Sequence, residues 1–430
     1  MEITRYASHF DHYPRFILAV AMLAWLGAVC VTAESTSPPT AGTYNLSGEG
    51  PHLIAHFLPW FEVAPADAPE APNWRHWRWD GPGTKRDPNK ILPNGQRDLA
   101  TAYYPLIGPY SSHDRAVFRY HLETAKAIGV SAFLVLWYGP GTENSDLHLP
   151  MMLDEAEAAD MRIAICYEEK LNWPPYRKPQ SRQNILDGFE ADLRYLLDNY
   201  AQHPAYLRRN GKPFIAQFNY WGEDDLGPRQ IQPGEFSKVF DRLSEEIYFC
   251  RQNIDHTEMH PLIPSAYMWI KPDPAWIHDY AVFAGRAEAL YTAGHLDFFM
   301  GFISPGFDDR GVSGWGSGEP RVLERNGLDV LRQTMALSTI GDPELIQIAT
   351  WNDWQEGTAV EPSREHRFEY VDAIEMWWGR VSGRPVNTAD NHKPLLKLAA
   401  MNSEFDLGLD IPTVLDGTEQ AEKQNAVNHP

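Results

Sequence analysis

Short apolar runs recur along this chain, with stretches of helical period between them. The runs are Leu53–Trp60, Ser131–Trp137, Arg162–Glu168, Pro213–Asn219, Leu262–Met268, Asp279–Phe283, Phe298–Ser304 and Leu345–Trp351. Most are continuously hydrophobic rather than alternating, the pattern of parallel strands buried on both faces. The segments His113–Ile128, Gln183–Tyr200, Pro233–Arg251 and Arg321–Ser338 carry apolar residues at helical spacing. Eight strands alternating with helices predict the α/β class and, within it, a closed (β/α)8 barrel of the TIM type over residues 51–384, with long βα loops. Asp279–Phe283 is short and partly polar, so an open doubly wound sheet is the alternative.

The two ends of the chain read differently from the middle. Phe16–Val31 is an apolar run behind Arg5 and Arg15 and ahead of Val31-Thr32-Ala33, which predicts a signal peptide over residues 1–33, cut after Ala33. An uncleaved anchor is the alternative; lipidation at Cys30 fits less well, because Gly27-Ala28-Val29 lacks the large aliphatic residue of a lipidation box. Residues 34–50 are rich in Ser, Thr, Pro and Gly and read as a linker, with a glycosylation sequon at Asn45-Leu46-Ser47. Residues 385–430 turn polar and read as a C-terminal extension ending in a frayed tail from Thr413.

A secreted or periplasmic, monomeric protein is therefore expected. Beyond the leader only Cys166 and Cys250 remain, so the core rather than a disulfide framework must hold the fold, with Cys166 a buried small hydrophobe. The 58 acidic and 37 basic side chains give a formal charge of -21. Such a field repels phosphate backbones and anionic lipid surfaces, which excludes nucleic acid as a partner and a membrane beyond the possible anchor.

In barrels of this type the site forms at the carboxyl ends of the strands. Reading past each strand gives Trp60, Trp137 with Tyr138, Glu168 with Glu169, Asn219 to Trp221, Trp269, Asp308 with Asp309, and then Asn352, Asp353, Trp354 and Glu356. Aromatic rings stack on the C–H faces of sugars while carboxylates and amides bind hydroxyls, so the mixture predicts an oligo- or polysaccharide substrate. Trp60, Trp137, Tyr138, Glu168, Asn219, Trp269, Asn352 and Trp354 are the predicted substrate contacts. Glu168 is preferred to Glu169 because the alternation that groups Ile163, Ile165 and Tyr167 turns Glu168 to the opposite face.

Cleaving a glycosidic bond takes an acid for the leaving oxygen and a second carboxylate for the developing positive charge. Asp353 and Glu356, three residues apart beyond the last strand and flanked by Trp351 and Trp354, are the candidate pair. The same spacing suits a plain turn cap, with Asp353 closing the turn into Gly357. There is no His-Glu-x-x-His, Cys-x-x-Cys, Gly-rich phosphate loop or Gly-x-Ser-x-Gly, so no metal or cofactor is expected and a common serine esterase is excluded. His56 and His76 lack partners at metal-ligand spacing.

Several motifs follow one another in a family-like order: Trp74-Arg75-His76-Trp77, Tyr103-Tyr104-Pro105-Leu106-Ile107-Gly108-Pro109-Tyr110, and Trp137-Tyr138-Gly139-Pro140-Gly141. Further on come His203-Pro204-Ala205-Tyr206 with Gly211-Lys212-Pro213, then Ser304-Pro305-Gly306-Phe307-Asp308-Asp309, and the segment Trp351 to Pro362. Over Pro51 to Trp378 this order resembles glycoside hydrolase family 99, the endo-α-mannosidases, and looser relatives spanning families 71 and 99. The family pattern in the last segment resembles Trp-Asn-Glu-Trp-His-Glu-Gly-Thr, so here Asp353 replaces a glutamate and Gln355 a histidine.

The resemblance implies a retaining glycosidase that cuts an internal bond of a mannan-like or other polysaccharide through a 1,2-anhydro sugar. Glu356 would be its general acid/base, and Asp353 would assist the substrate 2-hydroxyl. It further implies that Trp137 lines a neighbouring sugar subsite and that Glu168 binds hydroxyls. Two other readings stand beside it: a barrel that binds glycan without cutting it, and a metal-dependent hydrolase built on Asp308, Asp309 and histidines of the same face.

Overall fold

The computed structural model describes residues 51–63, 74–142, 145–168, 182–218, 231, 233–243, 246–252, 265–273, 275–405 and 408–411. The leader, the linker, Glu169 and Asn219 to Trp221 lie outside the described residues.

Eight parallel strands make the barrel: β1 (His52–Phe57), β2 (Val130–Trp137), β3 (Arg162–Glu168), β4 (Lys212–Phe218), β5 (Tyr248–Gln252), β6 (Ser265–Tyr267), β7 (Phe298–Ile303) and β8 (Leu345–Ile348). Each pairs in parallel with the next in chain order. The register Ile54↔Gln347 and Ala55↔Ile348 then joins β8 to β1 and closes the ring, which decides against an open sheet. Because side chains alternate along a strand, each strand feeds two layers. Ile54, Leu134, Leu136, Ala164, Cys166, Phe214, Ala216, Cys250 and Met300 fill the lumen. Phe57, Phe133, Val135, Trp137, Ile163, Ile165, Tyr167 and Ile348 pack outward with apolar residues of the surrounding helices.

Those helices are α1 (Arg115–Ala127), α2 (Leu149–Ala158), α3 (Arg182–Asn199), the short α4 (Phe236–Phe240), α5 (Trp276–Thr292), α6 (Asp329–Ser338), α7 (Glu369–Ser382) and α8 (Lys393–Phe405). Asp114 caps α1 by accepting the amides of Ala116 and Val117.

Three expectations are corrected. Asp279–Phe283 lies inside α5, where Trp276, Tyr280, Ala284 and Ala287 are buried at helical spacing; five residues read alone concealed that period. The strand it was taken for is Tyr248–Gln252, which was expected to be the end of a helix over Pro233–Arg251. There Phe236, Val239 and Phe240 satisfy the helical pattern within five residues, and β5 then alternates, Tyr248 and Cys250 inward and Phe249 outward. The helix expected from Arg321 begins only at Asp329, because Val322–Leu323 pairs antiparallel with Phe307–Asp308.

Within the described part of the polar extension, α8 packs against the barrel's helices. Leu395 and Leu398 of α8 are buried in one cluster with Val117 and Tyr120 of α1, and Lys397 pairs with Glu123 at 2.7 Å. At the amino-terminal end of the barrel, Arg209 lies over the rings of Tyr248 and Phe298 and bonds Glu344 and Asp297, covering the lumen from below.

Helix α6 approaches β7 at Gly301, where an added Cβ would stand 2.2 Å from the Ser338 carbonyl oxygen. Backbone cannot yield as a side-chain tip can, so Gly301→Ala is expected to cost about 1–3 kcal/mol. A lowered urea midpoint with an unchanged slope would show it.

Candidate active site

The site grows from the segment after β8. Trp351 N–H donates to the His56 carbonyl at 2.8 Å, extending the β1 edge by one residue. The chain then closes on itself: Thr350 N–H donates to Thr358 O (3.1 Å), Thr358 N–H to Asp353 O (3.1 Å) and Glu361 N–H to Trp351 O (2.9 Å). Gly357 turns it at φ +60°, and a Cβ there would come within 2.8 Å of Asp308 O. From behind, buried Arg325 donates to the carbonyls of Gly357 and Ala359 at 3.0 and 2.8 Å.

Beneath this loop lies a buried polar layer. Asn352 accepts the Leu58 amide at 2.8 Å and donates to Leu58 O and the Tyr110 hydroxyl. Tyr110 donates to Glu361 at 2.7 Å, and the Trp354 indole N–H reaches both Glu361 (3.1 Å) and the Tyr110 oxygen (3.2 Å). Trp351 donates to Nδ1 of His121 at 3.1 Å. Burial holds His121 neutral, pushing it down to about 3, and raises the Glu361 carboxyl to about 8.

Above the layer sit the two candidate carboxyls. Asp353 is buried; its backbone amide donates to Thr350 Oγ1 and its Oδ1 accepts the Glu356 amide at 3.0 Å. The turn-cap reading therefore holds, and the cap itself fixes Glu356 next to Asp353. Burial raises the Asp353 carboxyl well above the usual range, the amides of Glu356 and Gln355 pull it down, and the charges of Glu168 and Asp309 push it up again. Glu356 is raised first by burial and then by Asp353, while Arg321 and the Trp315 N–H, which donates to Glu356 at 2.9 Å, oppose the rise. Two such carboxyls hold one proton between them far more readily than two charges.

The other predicted residues divide. Lumen alternation carries Glu168 inward after Ala164 and Cys166, close enough for its charge to act on Asp353. Trp60 stacks on His76 with centroids 4.5 Å apart and lies parallel to Tyr138 at 6.3 Å. Half-buried Trp269 meets His56 and Phe218 edge-on. These rings stand at the carboxyl ends of β1, β2 and β6.

Trp137, Asn352 and Trp354 are corrected from substrate contacts to supports. Trp137 falls on the helix side of β2 with Phe133 and Val135 and donates its N–H to Asp146 at 2.9 Å, since Tyr138 takes the inward step. Asn352 and Trp354 have no exposed surface and spend their polar atoms in the layer below. Asn219 lies outside the described residues.

Sequence reasoning missed Glu361, Trp315 and the role of His76. His76 Nδ1 lies 2.6 Å from Gln355 Oε1, so the glutamine next to Glu356 is anchored by the aromatic wall. An acid inside the apolar run Ala359-Val360-Glu361 and a tryptophan flanked by Gly314 and Gly316 were the available signals. Asp308 and Asp309, the basis of the metal reading, carry arginines: Arg310 bonds Asp308 through Nε at 2.9 Å and Arg321 bonds Asp309 at 2.7 Å. Among the described residues no three His, Cys, Asp or Glu side chains form a metal-binding group.

A family model for glycosyl hydrolase family 99 matches residues 50–224. That match, with the relatives and solved structures below, supports membership of that family. The chain is thus a glycosidase. Among its relatives, the glycoprotein endo-alpha-1,2-mannosidase of Mus musculus is 23% identical over 372 residues, spanning 78% of this chain and 74% of that protein. The Homo sapiens glycoprotein endo-alpha-1,2-mannosidase-like protein is 24% identical over 312 residues, 64% of this chain and 61% of that one. The solved GH99 endo-alpha-mannosidase of Bacteroides thetaiotaomicron superposes with a TM-score of 0.57 at 20% identity, covering 78% of this chain and 99% of that one, and shares the barrel fold.

The buried proton of Glu361 sets a pH test. Its carboxyl keeps the proton to about pH 8 when folded but only to about 4.3 when unfolded. The stability linked to it is complete below the unfolded value and lost as pH rises through the folded one. Glu361→Gln keeps an acceptor for Tyr110 and Trp354 without the ionisation. Its stability relative to wild type should therefore climb between pH 5 and pH 8 in paired urea titrations, and a constant difference would contradict the assignment.

Proposed function

We propose that this glycosidase cuts an internal bond of a mannan-like or other polysaccharide with retention of anomeric configuration. Glu356 gives its proton to the leaving oxygen. Asp353 takes the proton of the substrate 2-hydroxyl, whose oxygen attacks the anomeric carbon as the glycosidic C–O bond breaks, leaving a 1,2-anhydro sugar. Water then opens that ring at the anomeric carbon, Glu356 accepting the water proton and Asp353 returning its own to the 2-oxygen. Both groups end as they began, and no side chain forms a bond to the sugar.

The observation that carries this reading is the placement of Asp353 and Glu356 side by side in one aromatic-walled mouth, where burial favours one proton on the pair. A group that must donate near neutral pH needs a proton held above the ordinary carboxyl range, and its neighbour must be able to accept one. Trp60, Tyr138 and Trp269 supply ring faces and edges for the sugar, and Glu168 an acceptor for hydroxyls. We also propose that residues 1–33 export the protein, so that its substrate is extracellular or periplasmic glycan.

Glycan release by purified protein from a panel of α- and β-linked polysaccharides, with the product anomer followed by NMR, tests the proposal. Glu356→Gln is expected to lose at least about a hundredfold in kcat, and Asp353→Asn a comparable factor. Undiminished turnover in Glu356→Gln removes that residue from the mechanism, and an inverted anomer removes the anhydro-sugar route. A wild-type protein that binds a glycan yet releases no product supports the binding-only reading.

The pH profile of kcat/KM should be bell-shaped with both limbs above the ordinary carboxyl range. The acid limb is the uptake of a second proton by the pair, and the alkaline limb the loss of the last one. A profile flat from pH 4 to pH 9 would be incompatible with it.

A further inference from the structure

Trp315 lies outside the residues that the barrel rule selects, yet it makes the side-chain hydrogen bond to the proposed acid, Nε1–H to Glu356 Oε1 at 2.9 Å. Its loop is built to hold it there. Buried Asp309 accepts the backbone amide of Arg321 at 2.6 Å and its Nε at 2.7 Å, drawing the two ends of residues 310–320 together. Asp308 N–H donates to the Glu356 carbonyl at 2.6 Å, fastening the base of the loop to the acid's own turn. Ser313 Oγ accepts the Thr84 amide at 2.7 Å, which ties the loop to the segment bearing Trp79, and Trp79 meets Trp315 edge-on at 5.9 Å. At the tip, Trp315 holds φ +53°, a left-handed conformation that a bulky residue adopts only when its surroundings over-determine it.

Burial gives this arrangement a direction. Glu168 and Asp353 are 4% and 3% exposed, Glu356 is intermediate and Trp315 is 36% exposed, so exposure rises from Glu168 and Asp353 together, through Glu356, to Trp315. In the proposed reaction the sugar whose 2-hydroxyl is deprotonated lies against Asp353, at the deep end. The glycosidic oxygen meets Glu356, and the departing sugar must continue outward past it. The aromatic surface in its way is the indole of Trp315, supported from behind by Trp79.

We infer that Trp315, braced by Trp79, is the platform on which the leaving-group sugar stacks, and that its indole N–H turns the Glu356 carboxyl toward the glycosidic oxygen. This rests on Glu356 being the acid. It adds a specificity element for the sugar that leaves, distinct from Trp60 and Tyr138.

The test uses full-length Trp315→Ala and Trp315→Phe with two substrates: an oligosaccharide cut from the polysaccharide that the panel shows to be hydrolysed, and the glycosyl fluoride of the same glycone and anomer, whose leaving group has no ring to stack and little need of a proton. Trp315→Ala is expected to lose at least about tenfold more kcat/KM on the oligosaccharide than on the fluoride. Trp315→Phe keeps a ring but no N–H. It should hold KM near that of wild type while moving the alkaline limb of the oligosaccharide profile upward, because a bond favouring charged Glu356 is gone. Trp79→Ala should show the same substrate selectivity in weaker form.

Equal losses on both substrates, or none on either, would overturn the inference, and matching melting temperatures would separate either outcome from misfolding. Wild-type protein that turns over neither substrate instead overturns the hydrolase reading beneath it, before any variant is made.

Discussion

The barrel mouth gathers more acid than it can leave charged. Asp353, Glu356, Asp309 and Glu168 interact there, and the cation facing Glu356, Arg321, is bonded to Asp309. Desolvation makes each additional negative charge costly in such a place, and like charges a few ångströms apart raise the cost further. At least one proton must stay, and geometry decides where. Asp309 has its arginine, Asp353 has two backbone amides, and Glu356 has an indole N–H and the shared charge of Arg321 against the repulsion of its neighbour. Burial raises both Asp353 and Glu356, so the proton settles on that pair. In the proposed reaction the acid draws on this inequality between the pair and its neighbours rather than on any special chemistry of Glu356 itself.

An inequality of this kind survives only if the loop does not move. The polar layer of Asn352, Tyr110, Trp354 and Glu361 fixes the segment from below, Arg325 fixes it from behind, and Gly357 permits the close approach to Asp308. Hydrogen bonds in a low-dielectric interior are strong when made and costly when missing, so this layer resists displacement as a unit. A buried carboxyl beneath the site has the same logic as those within it. Glu361 accepts two donors while neutral, and staying neutral spares the mouth above a further charge.

Much of this was legible beforehand because strand alternation and barrel topology are local and periodic. Continuous apolar runs gave seven of the eight strands, and alternation along β3 alone pointed Glu168 inward. What failed were places where period could not be counted. Five residues at Asp279–Phe283 cannot distinguish a strand from part of a long helix, and Tyr248–Gln252 followed a short helix whose pattern seemed to run on. Trp137 was misjudged because position beyond a strand end was trusted over the two-residue alternation, which sends Tyr138 inward in its stead. Trp315 and Glu361 were hidden for another reason: their roles depend on contacts with residues 41 and 251 positions away, which a linear reading does not bring together.

The aspartate at 353 gains a physical meaning from the same geometry. A glutamate carries its carboxyl one methylene farther from the backbone, while aspartate suits a bond to an amide a few residues ahead. Here Oδ1 makes that bond with the Glu356 amide at 3.0 Å, so the residue proposed as base also sets the backbone of the proposed acid. The shorter side chain reaches less far into the lumen but leaves fewer torsions to fix. Position is thereby exchanged for order, and a sugar bound here must bring its 2-hydroxyl deeper toward Asp353 to meet it. In the proposed reaction the depth of the glycone subsite is then set by the loop's own turn, through the cap that holds the two carboxyls together.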